Sequence, residues 1–398
     1  MTCYPDKSLT VSAGWLIDGT GSPLARDIQL DISDGRIVSI SDRDDGQVKC
    51  RETMDLSHCT IIPGLIDCHV HLSMSGNEDR SFRDSQLNNS YDDIRRVIAG
   101  HLMEHSGYGV VALRDGGDHK GHALRYRDEY LIKGRAGVVI KAAGRAWHAQ
   151  GRYGSLIGRS PLYGLDLAQS ISLIKDIPDH IKIINSGLNS LSEFGKETPA
   201  QFDPGQLGRA VKEGKKLGLK TMVHANGQQA VKIAIDAGCH SIEHGFFMGD
   251  ENLGIMAEKG CIWVPTAITM EAYSRIFRPG TPEYDIAKKN LDSQLKQISM
   301  AIQYGVNIAV GTDSGSPGVH HGKAVHEEIR LFMSAGYTIE GAVRCASFEG
   351  AKLLGLEETA GLLTPGMPAV FIAVRGGPES LPDSLGNIEA VFSQHRAG

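Results

Sequence analysis

The chain has 398 residues, 41% of them hydrophobic and 22% charged, so it can bury a large core and lacks the composition of a disordered segment. A formal net charge of −6 excludes the basic footprint that nucleic acid or an anionic membrane needs, which leaves a small soluble molecule as the expected partner. No apolar run reaches the length of a membrane span, and the residues after Met1 lack the basic-then-apolar pattern of a secretory signal, so a cytoplasmic location is expected. The seven cysteines, Cys3, Cys50, Cys59, Cys68, Cys239, Cys261 and Cys345, show no C-x-x-C spacing and fit reduced thiols. A homo-oligomer is compatible with all of this.

From Leu9 to Ile62 the chain reads as short β segments. Asp27–Ile32 and Arg36–Ile40 flank Asp34-Gly35, a dipeptide that signals a tight hairpin. From Pro63 the pattern changes to apolar strands alternating with longer helical stretches, as expected of βα units on a parallel sheet. Eight strands are predicted: Leu65–Leu72, Gly109–Arg114, Val138–Gly144, His180–Ile184, Lys220–Ala225, Ser241–His244, Ile262–Thr266 and Asn307–Thr312. Eight such units close a barrel. Gly205–Leu217 and Ala230–Ala237 carry apolar residues at helical spacing, as do Ala324–Ala335, Thr338–Ala346 and Glu349–Leu354 beyond the eighth strand. The chain then returns to turn and strand character, ending in Ala369–Val374.

The most informative stretch is Pro63-Gly64-Leu65-Ile66-Asp67-Cys68-His69-Val70-His71, because alternate residues of a strand share a face and both histidines can point at one ion. Cys68 then points to the opposite face, where a small buried apolar role is expected. Lys182, His224, His244 and Asp313 lie at or near the ends of other predicted strands. In a parallel barrel those ends converge, which favours a metal site over six unrelated structural residues.

In these motifs the chain resembles the amidohydrolase superfamily. The matching pieces are residues 63–71, Leu113-Arg114-Asp115-Gly116-Gly117, His180-Ile181-Lys182-Ile183, Met222-Val223-His224-Ala225, Ser241-Ile242-Glu243-His244-Gly245 and Val310-Gly311-Thr312-Asp313-Ser314. Within the superfamily it looks most like the imidazolonepropionase-related branch that includes metal-dependent Xaa-Pro dipeptidases. The resemblance implies a (β/α)8 TIM barrel over residues 63–356, beside a small β-sandwich built from residues 1–62 and 357–398. It also implies two divalent ions: His69, His71 and Asp313 on the first, His224 and His244 on the second, and a carboxylated Lys182 bridging them. Nitrogen and oxygen donors together suit zinc, with manganese, iron and cobalt as alternatives.

The expected activity is cleavage of a C–N bond, an amide in a small peptide-like or N-acyl amino-acid substrate, with Asp313 as proton shuttle. The alternative is a mononuclear deaminase or cyclic-amidine hydrolase acting on a heterocycle. Members of that group commonly carry a glutamate three residues after the fifth-strand histidine, where this chain has Gly227. A barrel kept as an assembly scaffold is a further alternative, set against the filled ligand positions. For substrate binding, the loop after the third strand offers Arg145, His148, Arg152 and Tyr153, in which arginine could clamp a carboxylate and His148 could bond the reacting carbonyl. His320 and His321, after the eighth strand, are further candidates for substrate contact.

Overall fold

The computed structural model describes residues 8–42, 52–132 and 137–393, so Cys3 and Cys50 lie outside the described residues. The first elements are β1 (Leu9–Leu16), β2 (Ala25–Ser33), β3 (Arg36–Asp42) and β4 (Glu52–Pro63). Asp34 and Gly35 both adopt positive φ, 50° and 70°, which is the twist a two-residue hairpin needs between β2 and β3. After Gly64 come β5 (Leu65–Val70), α1 (Arg80–Asn88), α2 (Tyr91–Gly107), β6 (Val110–Asp115), α3 (His122–Ile132), β7 (Val139–Ala142), β8 (Ala146–Trp147) and β9 (Gly158–Arg159). They are followed by α4 (Leu167–Ser172), β10 (His180–Ile184), α5 (Pro204–Lys216), β11 (Lys220–Ala225), α6 (Gln228–Asp236), β12 (Ser241–His244), α7 (Gly249–Lys259) and β13 (Ile262–Val264). The chain closes with α8 (Ile268–Ile276), α9 (Pro282–Tyr304), α10 (Lys323–Ser334), α11 (Ile339–Ala346), α12 (Phe348–Leu354), β14 (Phe371–Arg375) and β15 (Ile388–Phe392).

The expected α/β alternation is present, with every ladder from β5 to β13 parallel. These strands form two sheets, β5-β6-β7 and β13-β12-β11-β10-β8-β9. The predicted third strand, Val138–Gly144, forms as β7 and stops before Gly144, whose φ of 72° a continuous strand does not adopt; β8 follows beyond it. The predicted eighth strand is irregular rather than a regular ladder. It nonetheless bonds on both sides: Ala309 N donates to Trp263 O, and Cys68 N donates to Val310 O, each at 2.9 Å. The terminal segments come together as expected, but in one six-stranded mixed sheet, β15-β14-β4-β1-β2-β3. That sheet has its own core, including Val11, Leu30, Ile37 and Phe371. Cys68 packs as predicted with Ile66, Val111 and Val264 on the face away from the histidines.

Among the described residues no helix is long and apolar enough to cross a membrane. Cys59, Cys68, Cys239, Cys261 and Cys345 are free and buried.

Candidate metal centre

Four strands and one strand-like segment deliver their side chains to a single place. The ladder of β5 is irregular between Asp67 and Val70, and there Asp67 turns inward and ties the segment down. Its Oδ1 accepts from His69 N at 3.2 Å and from Thr312 N at 3.1 Å, while its Oδ2 accepts from Thr312 Oγ1 at 2.6 Å. Burial pushes the Asp67 carboxyl up to about 7. This bracing fixes the spacing between the His69/His71 strand end and Asp313.

His69 Nε2 lies 3.6 Å and His71 Nε2 3.2 Å from Asp313 Oδ1, and the three residues form a group able to hold a metal ion. Beside them the His244 ring is 4.9 Å from that of His69 and 4.5 Å from that of His224, centroid to centroid. Lys182, 1% exposed on β10, places Nζ 3.4 Å from His69 Nε2 and makes no ion pair among the described residues. Burial lowers its ammonium to about 8.

Ring-nitrogen partners show which lone pairs are free. His71 Nδ1 donates to Gly117 O at 2.9 Å, and His224 Nε2 donates to Gly187 O at 3.1 Å. His69 Nδ1 is held 2.9 Å from Glu243 Oε2, and His244 Nδ1 lies 2.7 Å from Thr266 Oγ1. A carbonyl or carboxylate partner fixes the proton on one nitrogen and leaves the lone pair on the other, the usual arrangement of a metal-binding histidine. Burial, together with the nearby Lys182 charge, lowers His69 to about 4 and His224 to about 3, so both are neutral at physiological pH. A donor set of neutral imidazoles, a carboxylate and a buried lysine fits divalent-metal ligation.

Glu243, part of the sixth-strand motif, was not among the expected site residues. It sits fully buried on β12, with Oε1 accepting from Arg114 Nη2 at 2.8 Å and Oε2 lying 2.9 Å from His69 Nδ1. Burial works against its charge, but Arg114 and the His69 hydrogen bond outweigh it and hold Glu243 well below the usual carboxylate range. Arg114 also donates from Nε to Cys68 O at 2.7 Å, so β6, β12 and β5 are locked together behind the site. An acid and an arginine inside two short buried strands were the available signal.

Backbone strain gathers at the same place. His244, Thr266 and Asp313 have φ of 67°, 49° and 59°, a left-handed region that side-chain-bearing residues rarely adopt and that concentrates at functional sites.

Over the cluster lies a cavity of about 480 Å3, lined by His69, His71, Lys182, His224, His244 and Asp313. Its outer wall is largely apolar, with Met74, Leu87, Ile157, Leu188, Phe246 and Met270. Of the residues predicted to touch substrate, Tyr153 lines this wall, its ring 5.7 Å from that of His224. The others stand elsewhere. Arg145 opens onto a different cavity, and Arg152 donates from Nη2 to Pro199 O at 3.0 Å. His148 is buried and bonds the carbonyl of its own neighbour Ala149 at 2.9 Å, rather than lining the cavity. His321 faces inward below the site, with Nε2 2.8 Å from Met74 O and Nδ1 3.1 Å from His105 Nε2, and adjacent His320 is exposed off the wall. The cause is local: the loop folds back so that Gly318 N donates to Gly76 O, turning His321 under the cavity floor. Arg83 and Tyr273, from α1 and α8, occupy the wall instead.

A parallel α/β scaffold whose strand ends gather imidazoles, a carboxylate and a buried lysine under a cavity is the arrangement of a hydrolase with a candidate metal centre. The family model for the amidohydrolase family matches residues 60–396, and the chain belongs to that family, hydrolases of carbon–nitrogen bonds. It is 27% identical over 402 residues to an ochratoxinase of Aspergillus niger, covering 94% of this chain and 82% of that one. An imidazolonepropionase of Acinetobacter baumannii is 24% identical, over 81% of this chain and 80% of that one. The crystal structure of a Xaa-Pro dipeptidase with methionine in its active site is 27% identical, with a TM-score of 0.81 over 98% of this chain and all of that one.

Proposed function

We propose that this protein is a binuclear metal-dependent amidase that cleaves a small N-acyl amino acid or peptide-like substrate at its amide bond. The observation that carries the reading is the buried Lys182, without an ion pair among the described residues, set among four histidines whose other ring nitrogens lie against polar partners. In this reading the scaffold is a (β/α)8 barrel with residues 307–314 as its eighth stave. His69, His71 and Asp313 would hold one ion and His224 and His244 the other, with Lys182, as a carbamate, the ligand they would share. A neutral amine adds carbon dioxide, and burial without a carboxylate partner favours the neutral form. When bound, two ions, zinc in the first instance, supply hydroxide near neutral pH and polarise a carbonyl.

The chain's own groups do the rest. Asp313 takes the proton of the attacking water and returns it to the leaving amine. Glu243 and Arg114 keep His69 in one tautomer. Arg83, half-buried on the cavity wall, takes the carboxylate of the substrate, and the apolar wall takes its acyl or side-chain portion. The names of the ochratoxinase and Xaa-Pro dipeptidase relatives agree with amide or peptide substrates. For the deaminase alternative, Asn226 and Gly227 after His224 offer no acid, and the nearby Glu243 is committed to Arg114 and His69.

The test is elemental analysis of protein purified with zinc and bicarbonate, alongside assays on N-acyl amino acids and dipeptides. About two ions per chain are expected, with Lys182→Ala losing metal and activity together and short carboxylic acids restoring part of both. A single ion with ammonia released from heterocycles would establish the deaminase instead.

A further inference from the structure

A second cavity, of about 590 Å3, lies on the other side of the strand that carries Lys182. Alternate residues of β10 face opposite ways, so Lys182 lines the cavity over the histidines and Ile181 lines this one. The two cavities share no lining residue. Trp147 of β8, 2% exposed, lies against it.

Five of the residues that line this cavity are lysine or arginine, against two aspartates. The Arg159 guanidinium lies 4.2 Å from the centroid of the Trp147 ring, and its buried Nε finds no acceptor among the described residues. Arg145 and Lys175 also line the cavity without an ion pair among the described residues, and Lys120 and Arg125 stand beside them. Asp128 and Asp176 are the acids of the lining; Asp128 already accepts from Arg127 Nε at 2.8 Å, and Arg125 is paired with Glu129 at 3.2 Å. In a chain with a formal net charge of −6, so much positive charge around one hollow is not a general surface property. A buried N–H without a partner is destabilising, and like-charged arginines facing one hollow add to that cost until an anion joins them.

We propose that this cavity binds a small multivalent oxyanion, a phosphate- or carboxylate-bearing molecule, with Arg159 and Arg145 as its fork and Lys175 as a third cation. Arg159, stacked on Trp147, presents a pre-oriented plane that loses little freedom on binding. The site is independent of the metal centre and of the reaction assigned to it.

Isothermal titration of the full chain at low ionic strength, with pyrophosphate and separately with citrate, tests this. One saturable site per chain is expected. Arg159→Met, which keeps an apolar stem over Trp147, and the exposed Arg145→Met should each weaken binding by about tenfold or more. Arg209→Met, at an exposed arginine paired with Asp166, should leave it unchanged. A response to pyrophosphate alone would identify a phosphate ligand, and one to citrate alone a carboxylate. No saturable binding of either anion, or equal binding by both cavity variants and the parent, overturns the proposal.

Discussion

Arg83 carries the sharpest prediction at the scale of a single residue. Its Nη1 donates to Ser75 O at 2.7 Å and to Gly315 O at 2.6 Å, which holds the guanidinium at the cavity wall. It makes no ion pair among the described residues, so its remaining N–H groups are available to a substrate carboxylate. Arg83→Met is therefore expected to raise KM for an N-acyl amino acid by about ten- to a hundredfold, the worth of a charge-assisted hydrogen bond. The same variant should process the corresponding C-terminal amide, which lacks the negative charge, as well as the parent does. Steady-state kinetics on the two substrates separates recognition from bracing, because loss of the backbone contacts alone would slow both alike. The sequence pointed to Arg145 and Arg152 for this role on the strength of their loop. Arg83 was illegible because it sits in a charged stretch, Glu78 to Asp84, that reads as an ordinary solvated helix start.

At the scale of elements, α8 shows one helix capped by another. Its N-terminal residues have no side-chain cap of their own; instead Glu328 of α10 accepts from Ala267 N at 2.9 Å and from Ile268 N at 2.7 Å. Burial pushes the Glu328 carboxyl up to about 8 against those two hydrogen bonds. Glu328→Ala leaves two buried donors without acceptors and is expected to cost about 1–3 kcal/mol in a urea unfolding midpoint. Glu328→Gln, which keeps one acceptor oxygen, should cost less; equal losses would show that packing rather than capping matters. Because α8 carries Thr269, Met270 and Tyr273 into the cavity wall, this cap also sets the shape of the pocket. Such a contact joins residues far apart in sequence and left no local signal. Elements defined by local chemistry were legible: the Asp34-Gly35 hairpin, and α5 from periodicity and the glycine after it. The eighth strand was misjudged as regular because the left-handed turn at Asp313, braced by Asp67 and Thr312, overrides its apolar pattern.

Across the whole molecule, buried neutral histidines tie the layers together and make the fold sensitive to acid. His326 of α10 has Nε2 2.9 Å from Tyr108 O, at the end of α2, and burial lowers it to about 4. His105 of α2 is fully buried beside His321, and burial lowers it to about 3. In the unfolded chain each imidazole titrates near its ordinary value of about 6.5. Between that value and the folded one, the unfolded state binds a proton that the folded state refuses, so stability rises with pH and is lost as pH falls from about 6.5 towards 4. Each such histidine contributes a slope of up to about 1.4 kcal/mol per pH unit in that window. Metal release in acid would add to the effect, so the measurement belongs on chelator-treated protein, as urea midpoints between pH 7 and pH 4.5. His326→Gln is expected to be less stable at pH 7 but to lose less stability on acidification, its curve converging on the parent's by pH 4.5. Parallel curves would mean that His326 titrates alike in both states, and the link from α10 to α2 would then be packing alone.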